Sequence, residues 1–331
     1  MIVLSAYIYI RKVVQDVVLV LFVLVILYVM FRLLGNPAIL IFYSTKHHTA
    51  SELKIIEAEL GPLAGPISFP NFIYYFKDML TFHFGDSLFG AIDGHQTVIG
   101  AIDAALPYTL MLFGIAAVVG FIIGLPAGIF TSFLRGKKSE KAVITAATLL
   151  NSIPFFVLAI IVYIYVAGYY HIFPLRGTFP VTDLTKPTIA GVENAFYHLL
   201  MPILVLVAIE AMGHLLTMRA AMVSVLGEDF ITTARAKGVP EKDIMLHHAA
   251  RNAMVPVSTR MALEFAFLMS GAVIVEVIFT VPGMGTLLYD STIKDNITVA
   301  EGGLFIISLV VIFAYSLVDF IHAWIDPRIK V

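Results

Sequence analysis

Two sets of residues in this sequence could do chemistry. The first lies between Glu228 and Pro256, EDFITTARAKGVPEKDIMLHHAARNAMVP, where Asp229, Arg235, Lys237, Glu241, Lys242, Asp243 and Arg251 alternate with small and apolar residues. Nearly every other long segment is apolar, so this polar, helix-patterned island offers contacts to a soluble partner. The second set sits inside apolar runs: Glu210 and His214, spaced i,i+4 on one helical face, and Glu264 and Glu276. Ionisable groups at membrane depth are costly, and they face a bundle interior, a partner or a water-filled path. For Glu210, His214 and Glu264, lining of a path and ion pairing inside a bundle both fit that cost.

Catalysis has no foothold. There is no G-x-x-x-x-G-K-[ST] phosphate loop, since Gly136-Lys137-Lys138 lacks the spacing and the final hydroxyl, and no H-E-x-x-H or G-x-S-x-G string. His247 and His248 are adjacent, so on a helix they point about 100° apart and cannot share a metal as an i,i+4 pair would. The absence of cysteine excludes thiolate catalysis, disulfides and zinc-thiolate sites. No catalytic residue and no metal site are assigned, and this chain is not expected to hydrolyse nucleotide by itself. A net charge of −2 gives no reason to expect nucleic acid.

The elements that position these residues are membrane spans. The chain has 331 residues, of which 60% are hydrophobic and 13% charged, against about one-quarter charged in a soluble domain. Mean hydropathy is +0.93. The apolar run 13–34 follows Arg11-Lys12 and is long enough to cross the hydrocarbon core. It lacks the short apolar region and small-residue site of a cleaved signal. It is expected to be a retained first span, with Arg32 snorkelling to the far interface. Five further spans are expected at 106–134 (Pro107 near its first turn), 142–170 (bent at Pro154), 196–218 (Pro202), 257–278 and 302–324. Fourteen Lys and Arg fall in segments that this topology puts inside, six fall outside, and Arg32 lies at a boundary. That asymmetry predicts a multi-pass protein of the cell membrane, N-in and C-in, with the polar island in the cytoplasm. Between the first two spans, a capped short helix is expected at 49–61, followed by an aromatic interfacial segment at 69–84.

Within the island, Phe230, Ile231 and Ala234 can share one helical face, and Ile244, Met245 and His248 another. Gly238 suits the left-handed position that stops a helix, and Pro240 suits the first turn of the next. The expected product is an elbow of helix, sharp turn and helix. Patterning alone weighs a docking elbow and a solvated connector equally. Val281-Pro282-Gly283-Met284-Gly285 is expected to break the fifth span as a re-entrant or outer loop, with an ordinary exposed turn as the alternative.

Several strings carry a resemblance: Thr233-Ala-Arg-Ala-Lys-Gly238, His247-His-Ala-Ala-Arg-Asn-Ala-Met-Val-Pro256, Phe84-Gly-Asp-Ser87, Leu106-Pro-Tyr-Thr-Leu110, Ser152-Ile-Pro-Phe155, Val275-Glu-Val-Ile-Phe-Thr-Val-Pro-Gly-Met-Gly285 and Asp326-Pro-Arg-Ile329. In this order and over nearly the whole chain, they resemble permeases of the dipeptide/oligopeptide branch of binding-protein-dependent ABC importers (the DppB/OppB type). The cytoplasmic island resembles that family's EAA loop, although Thr232, Thr233 and Ala234 stand where the general pattern has Glu-Ala-Ala.

The resemblance implies an all-α, six-span type I importer permease fold. The expected division is an N-terminal span with outer segment (1–100), a permease domain (101–325) containing the coupling loop (228–256), and a cytoplasmic tail (326–331). It also implies that the elbow inserts into an ATP-binding subunit, with Ala234, Ala236 and Gly238 allowing close approach. Arg235, Lys237 and Arg251 would supply polar contacts, and Thr233, Asn252 and Pro256 belong to the same coupling set. Glu276, Pro282, Gly283 and Gly285 fall in a string expected at the outer mouth, as gating or structural residues. The implied partners are a second homologous permease, ATP-binding subunits that carry ATP and Mg, an extracytoplasmic substrate-binding protein and the bilayer. No cofactor is expected on this chain. Such a subunit is a non-catalytic half of a path for di- and oligopeptides, and close relatives carry oligosaccharides or nickel complexes. An ion-coupled secondary transporter would call for inverted repeats that the sequence does not contain. An intramembrane protease would call for G-x-S-G or G-x-G-D strings, also missing.

Overall fold

The computed structural model describes residues 2–33, 51, 54, 67–87, 96–174, 188–254, 257 and 273–325, with side-chain surroundings for those between 10 and 317. Glu264, Pro256, most of the helix expected at 49–61 and the 326–329 string lie outside the described residues. The order is α1 (Ile2–Leu33), α2 (Phe69–Leu80), α3 (Val98–Phe133), α4 (Lys138–Ser152), α5 (Phe155–Val162, continued by a π-helical stretch Tyr163–Tyr169) and α6 (Ile189–Val225). Then come α7 (Asp229–Ala236), α8 (Glu241–Asp243, continued by the π-helical Ile244–Ala249), α9 (Val273–Phe279), α10 (Met284–Ile293) and α11 (Ile297–Ile325). Among the described residues the only β pairing is an isolated bridge between Asp86 and Thr97.

Among the described residues, four helices are long and apolar enough to cross a membrane by themselves: Ile10–Leu33 within α1, α3, α6 and Ile297–Leu317 within α11. Counting each bent pair as one span raises the number to six. Expected and observed spans differ in length and continuity. α3 begins at Val98, so Pro107 lies well inside the helix rather than in its first turn. At 36 residues, α3 is about 54 Å long, more than the hydrocarbon core requires. The span expected at 142–170 is broken. Ile153 (ψ 124°) and Pro154 (ψ 131°) are both extended, and α4 and α5 meet at 89°. Proline disfavours helical backbone in the residue before it, so Pro154 accounts for Ile153 leaving the helix. By contrast, α6 runs unbroken through Pro202.

Two compact units divide the chain, with boundaries inside α3 (107/108) and α11 (313/314) and at 281/282. The first contains α1, α2, the start of α3, α10 and most of α11. Its core gathers Tyr28, Phe31, Tyr75, Phe84, Ile102, Met284 and Phe305. Ser68 caps α2 by accepting from the Asn71 N–H at 3.4 Å, and the Tyr28 hydroxyl donates to the Ser68 carbonyl at 3.1 Å. The Arg32 guanidinium lies 5.2 Å from the Tyr28 ring centroid, near enough to the buried Glu301 to interact with it electrostatically. In the same unit, Asn296 Nδ2 donates to Ser87 Oγ at 2.7 Å, and Thr298 Oγ1 donates to the Asp86 carbonyl at 3.1 Å. The Phe84–Ser87 string is thereby fastened to the turn that starts α11.

The second unit holds the rest of α3 and α4 to α9. A stripe of glycines organises it. A Cβ on Gly120 would lie 2.6 Å from Glu210 Cβ, one on Gly124 2.6 Å from the Ala211 carbonyl oxygen, and one on Gly128 2.7 Å from the Leu215 carbonyl oxygen. The spacing i, i+4, i+8 puts all three on one face of α3, where they let the backbone of α6 approach closely. The G-x-x-x-G-x-x-x-G spacing is plain in the sequence.

Candidate functional site

The elbow is built from α7 and α8 standing on an apolar base. Ile231 and Ala234 from α7, Val239 from the turn, and Ile244, Met245, Ala249, Ala250 and Ala253 from the second arm pack with Met218, Met222 and Leu226 of α6 and Leu125 of α3. α7 stops at Gly238, whose φ of +77° is the left-handed conformation that favours glycine. There the Val239 N–H donates to the Ala234 carbonyl at 3.2 Å, and the Gly238 N–H to the Arg235 carbonyl at 2.9 Å. This is the Schellman pairing, completed by the apolar contact of Val239 in the base. Pro240 then caps the second arm.

Arg235 spans the turn and donates to both carboxylate oxygens of Glu241, from Nη2 at 2.7 Å and Nε at 3.2 Å. The hydrogen-bonded guanidinium holds the Glu241 carboxyl below its ordinary range, and the carboxylate raises Arg235 in turn. Thr233 Oγ1 donates to the Asp229 carbonyl at 3.0 Å, and Asn252 Nδ2 to the His248 carbonyl at 2.7 Å. Thr233, Arg235, Ala236, Lys237, Gly238, Arg251 and Asn252 are exposed, whereas Ala234 is buried in the base. The close-approach surface therefore reduces to Ala236 and Gly238.

Two residues expected to share a face with these buried ones do not share their burial. Phe230 and His248 are exposed, and Ala249 takes the place expected of His248. The cause lies in the second arm, where the turn Ile244–Ala249 is π-helical. Hydrogen bonding at i+5 brings Ala249 rather than His248 back over Ile244. Leu246 is also exposed.

Of the ionisable residues in the apolar runs, Glu210 is half-buried and His214 and Glu276 are buried. His214 is buried, 3.9 Å from Glu210 (Nε2 to Oε2), with its ring edge-on to Phe121 at 5.6 Å. Glu210 and His214 stand at the close α3–α6 contact, directly opposite Gly120 and Gly124. Glu276 is fully buried, and Thr109 Oγ1 donates to its Oε1 at 2.6 Å. Two strings far apart in sequence, Leu106–Leu110 and Val275–Gly285, thus meet at one hydrogen bond. α9 ends at Thr280, which has a φ of +54°. Pro282 and Gly283 follow in extended or irregular backbone, but Gly285 lies within α10 and is buried. The irregular part of the expected loop is accordingly shorter, because α10 resumes at Met284.

A family model described as "Binding-protein-dependent transport system inner membrane component" matches residues 124–331. The chain belongs to that family. This permease is 32% identical over 308 residues to the glutathione transport system permease protein GsiC of Escherichia coli (strain K12), covering 93% of each chain. It is 28% identical over 321 residues to a probable peptide ABC transporter permease of Sinorhizobium fredii, covering 97% of this chain and 98% of the relative. In fold it resembles the inward-facing MetNI methionine ABC transporter, with a TM-score of 0.52 and 18% identity over 69% of this chain and 97% of that one. The permease is thus a multi-pass membrane subunit of an ABC importer with the type I permease fold.

Proposed function

We propose that this permease forms half of a path for peptides, up to and including small ones of the size of glutathione, and is driven by separate ATP-binding subunits that grip the elbow. The substrate reading rests on nearly full-length similarity to permeases named for peptide and glutathione transport. The coupling reading rests on one observation: Ala236, Lys237 and Gly238 stand exposed at the tip of a turn whose other side is fixed in an apolar base. A load applied there is passed to α3 and α6 rather than absorbed by a loose connector. ATP binding in the partner shifts a two-state equilibrium, and the elbow transmits the bias through contacts that differ between the states.

In this reading both termini face the cytoplasm, and a second homologous permease completes the path. An extracytoplasmic binding protein delivers substrate. ATP and Mg belong to the partner subunits, and this chain carries neither. Glu276 serves as a gating residue, and the Pro282-Gly283 break as a lip of the outer mouth. Glu210 and His214 fix the α3–α6 contact beside the path.

Uptake in proteoliposomes or cells tests the drive. Depletion of ATP with the proton gradient maintained should abolish uptake, and persistence would exclude this mechanism. Arg235→Glu and Gly238→Leu should uncouple transport from hydrolysis. Full substrate-stimulated transport in both would remove the elbow from the coupling role. The cognate binding protein, titrated with peptide and oligosaccharide panels, tests the substrate class.

A further inference from the structure

One buried carboxylate near the elbow has no part in the site described above. Glu140, the third residue of α4, is 5% exposed. Its Oε1 accepts from Arg219 Nη2 at 2.6 Å and Nε at 3.1 Å, and its Oε2 accepts from the Gly136 N–H at 2.7 Å. Gly136 holds φ at +83° in the turn that follows α3. A single side chain therefore ties three helices: α3 through the Gly136 backbone, α4 by its own position, and α6 through Arg219.

Arg219 is well placed to pass movement on. It lies between Met218 and Met222, both fully buried in the base beneath α7. At the same level, a Cβ on Gly128 would come within 3.1 Å of the Arg219 backbone nitrogen. Backbone meets backbone there, so α3 and this part of α6, which carries Arg219, move together. α4 packs along α6 and turns by 89° at its far end into α5. A half-buried ion pair gains little stability, because desolvation of the carboxylate offsets the attraction. What the pair adds is direction. With both carboxylate oxygens engaged, α4 has one register against α6.

We propose that Glu140 and Arg219 are positioning residues that carry displacement of the elbow base into α4 and, through its bend, into α5. The proposal rests on the coupling reading of the elbow. Its test uses the full complex with its ATP-binding subunits, reconstituted in proteoliposomes, with ATP hydrolysis and substrate uptake measured together. The double variant Glu140→Leu/Arg219→Met leaves no orphaned charge. It should retain the ATP-binding subunits and its hydrolysis, while uptake per ATP falls about tenfold, the scale of an ordinary coupling free energy. Arg219→Lys keeps the charge but loses the two-pronged geometry, and it should give an intermediate ratio at normal yield. A parental ratio of uptake to hydrolysis in both variants would overturn the proposal. So would a proportional fall of both activities in both variants, which would mark the pair as structural only. Failure of the elbow reading is separately visible, as a Gly238→Leu complex that keeps its ATP-binding subunits and full uptake.

Discussion

Two helix ends in the second unit are closed by the same pair of hydrogen bonds but by different kinds of residue. At the end of α7, the Val239 and Gly238 N–H groups reach the Ala234 and Arg235 carbonyls, with glycine in the left-handed position. At the end of α9, the Val281 N–H reaches the Glu276 carbonyl at 2.8 Å and the Thr280 N–H reaches Val277 at 3.3 Å, with a β-branched threonine in that position. Left-handed backbone costs a non-glycine residue about 1–2 kcal/mol, and the α7 end avoids this cost. Surrounding structure must hold the α9 end: the residue whose carbonyl accepts there, Glu276, is itself fully buried and bonded to Thr109. The elbow is thus a relaxed joint on a packed base, and the break after α9 is a strained one held by a buried carboxyl. Strain of this kind persists where neighbouring contacts over-determine the backbone.

The contrast can be broken or sharpened by substitution. The largest effect is expected at the elbow's base, where Ile231→Ala removes a fully buried side chain and should cost about 2–5 kcal/mol in thermal melts of the purified complex. A shift smaller than that of Gly238→Ala would mean the elbow does not rest on its base. Next comes Thr109→Val, which takes the hydroxyl from Glu276 and should cost about 1–3 kcal/mol, whereas Thr109→Ser should stay near the parent. Equal losses in Val and Ser variants would show that volume, and not the hydrogen bond, holds the break.

The two left-handed positions should respond with opposite signs. Gly238→Ala meets nothing within 4 Å, so its expected loss of about 1–2 kcal/mol is purely conformational. Thr280→Gly should gain less than about 1 kcal/mol, since relief is partly offset by the freedom glycine adds to the unfolded chain. Melts that fall equally in both variants would erase the distinction. Smallest is the Arg235–Glu241 bridge, exposed on both sides and worth at most about 1 kcal/mol. Glu241 has a lowered folded pKa, so the bridge contributes fully above the carboxyl's ordinary range. That contribution is lost as pH falls through the lowered value. Melts of the parent and Glu241→Gln should converge at acid pH and in high salt, and a gap that persists at acid pH would assign the effect to packing.

Much of this was legible in the sequence because it is local. Apolar length marked the spans, and Gly238 with Pro240 marked the joint, since a left-handed stop and a preset φ are properties of single residues. The meeting of Thr109 with Glu276 was not readable from spacing, because it links residues 167 apart. The nearness of Arg32 to Glu301 likewise joins residues close to opposite ends of the chain. At Pro154 a bend was legible but its size was not, since 89° requires both Ile153 and Pro154 to be extended. In the elbow's second arm, the expected face assumed α-helical phase, and one π-helical turn exchanged His248 for Ala249. The π turn leaves no mark in composition. The glycine stripe did leave one, at Gly120, Gly124 and Gly128, and reading each span separately passed over it.

That stripe sets a length standard for the second unit. Where α3 faces α6 with hydrogen atoms in place of side chains, the separation of the two axes is fixed by main-chain and Cβ atoms, which have no rotamers to exchange. Other helix contacts in the unit can be retuned by swapping one apolar residue for another. This one admits a single residue type at three positions, and the placement of the elbow's base, Glu210 and His214 is all measured from it.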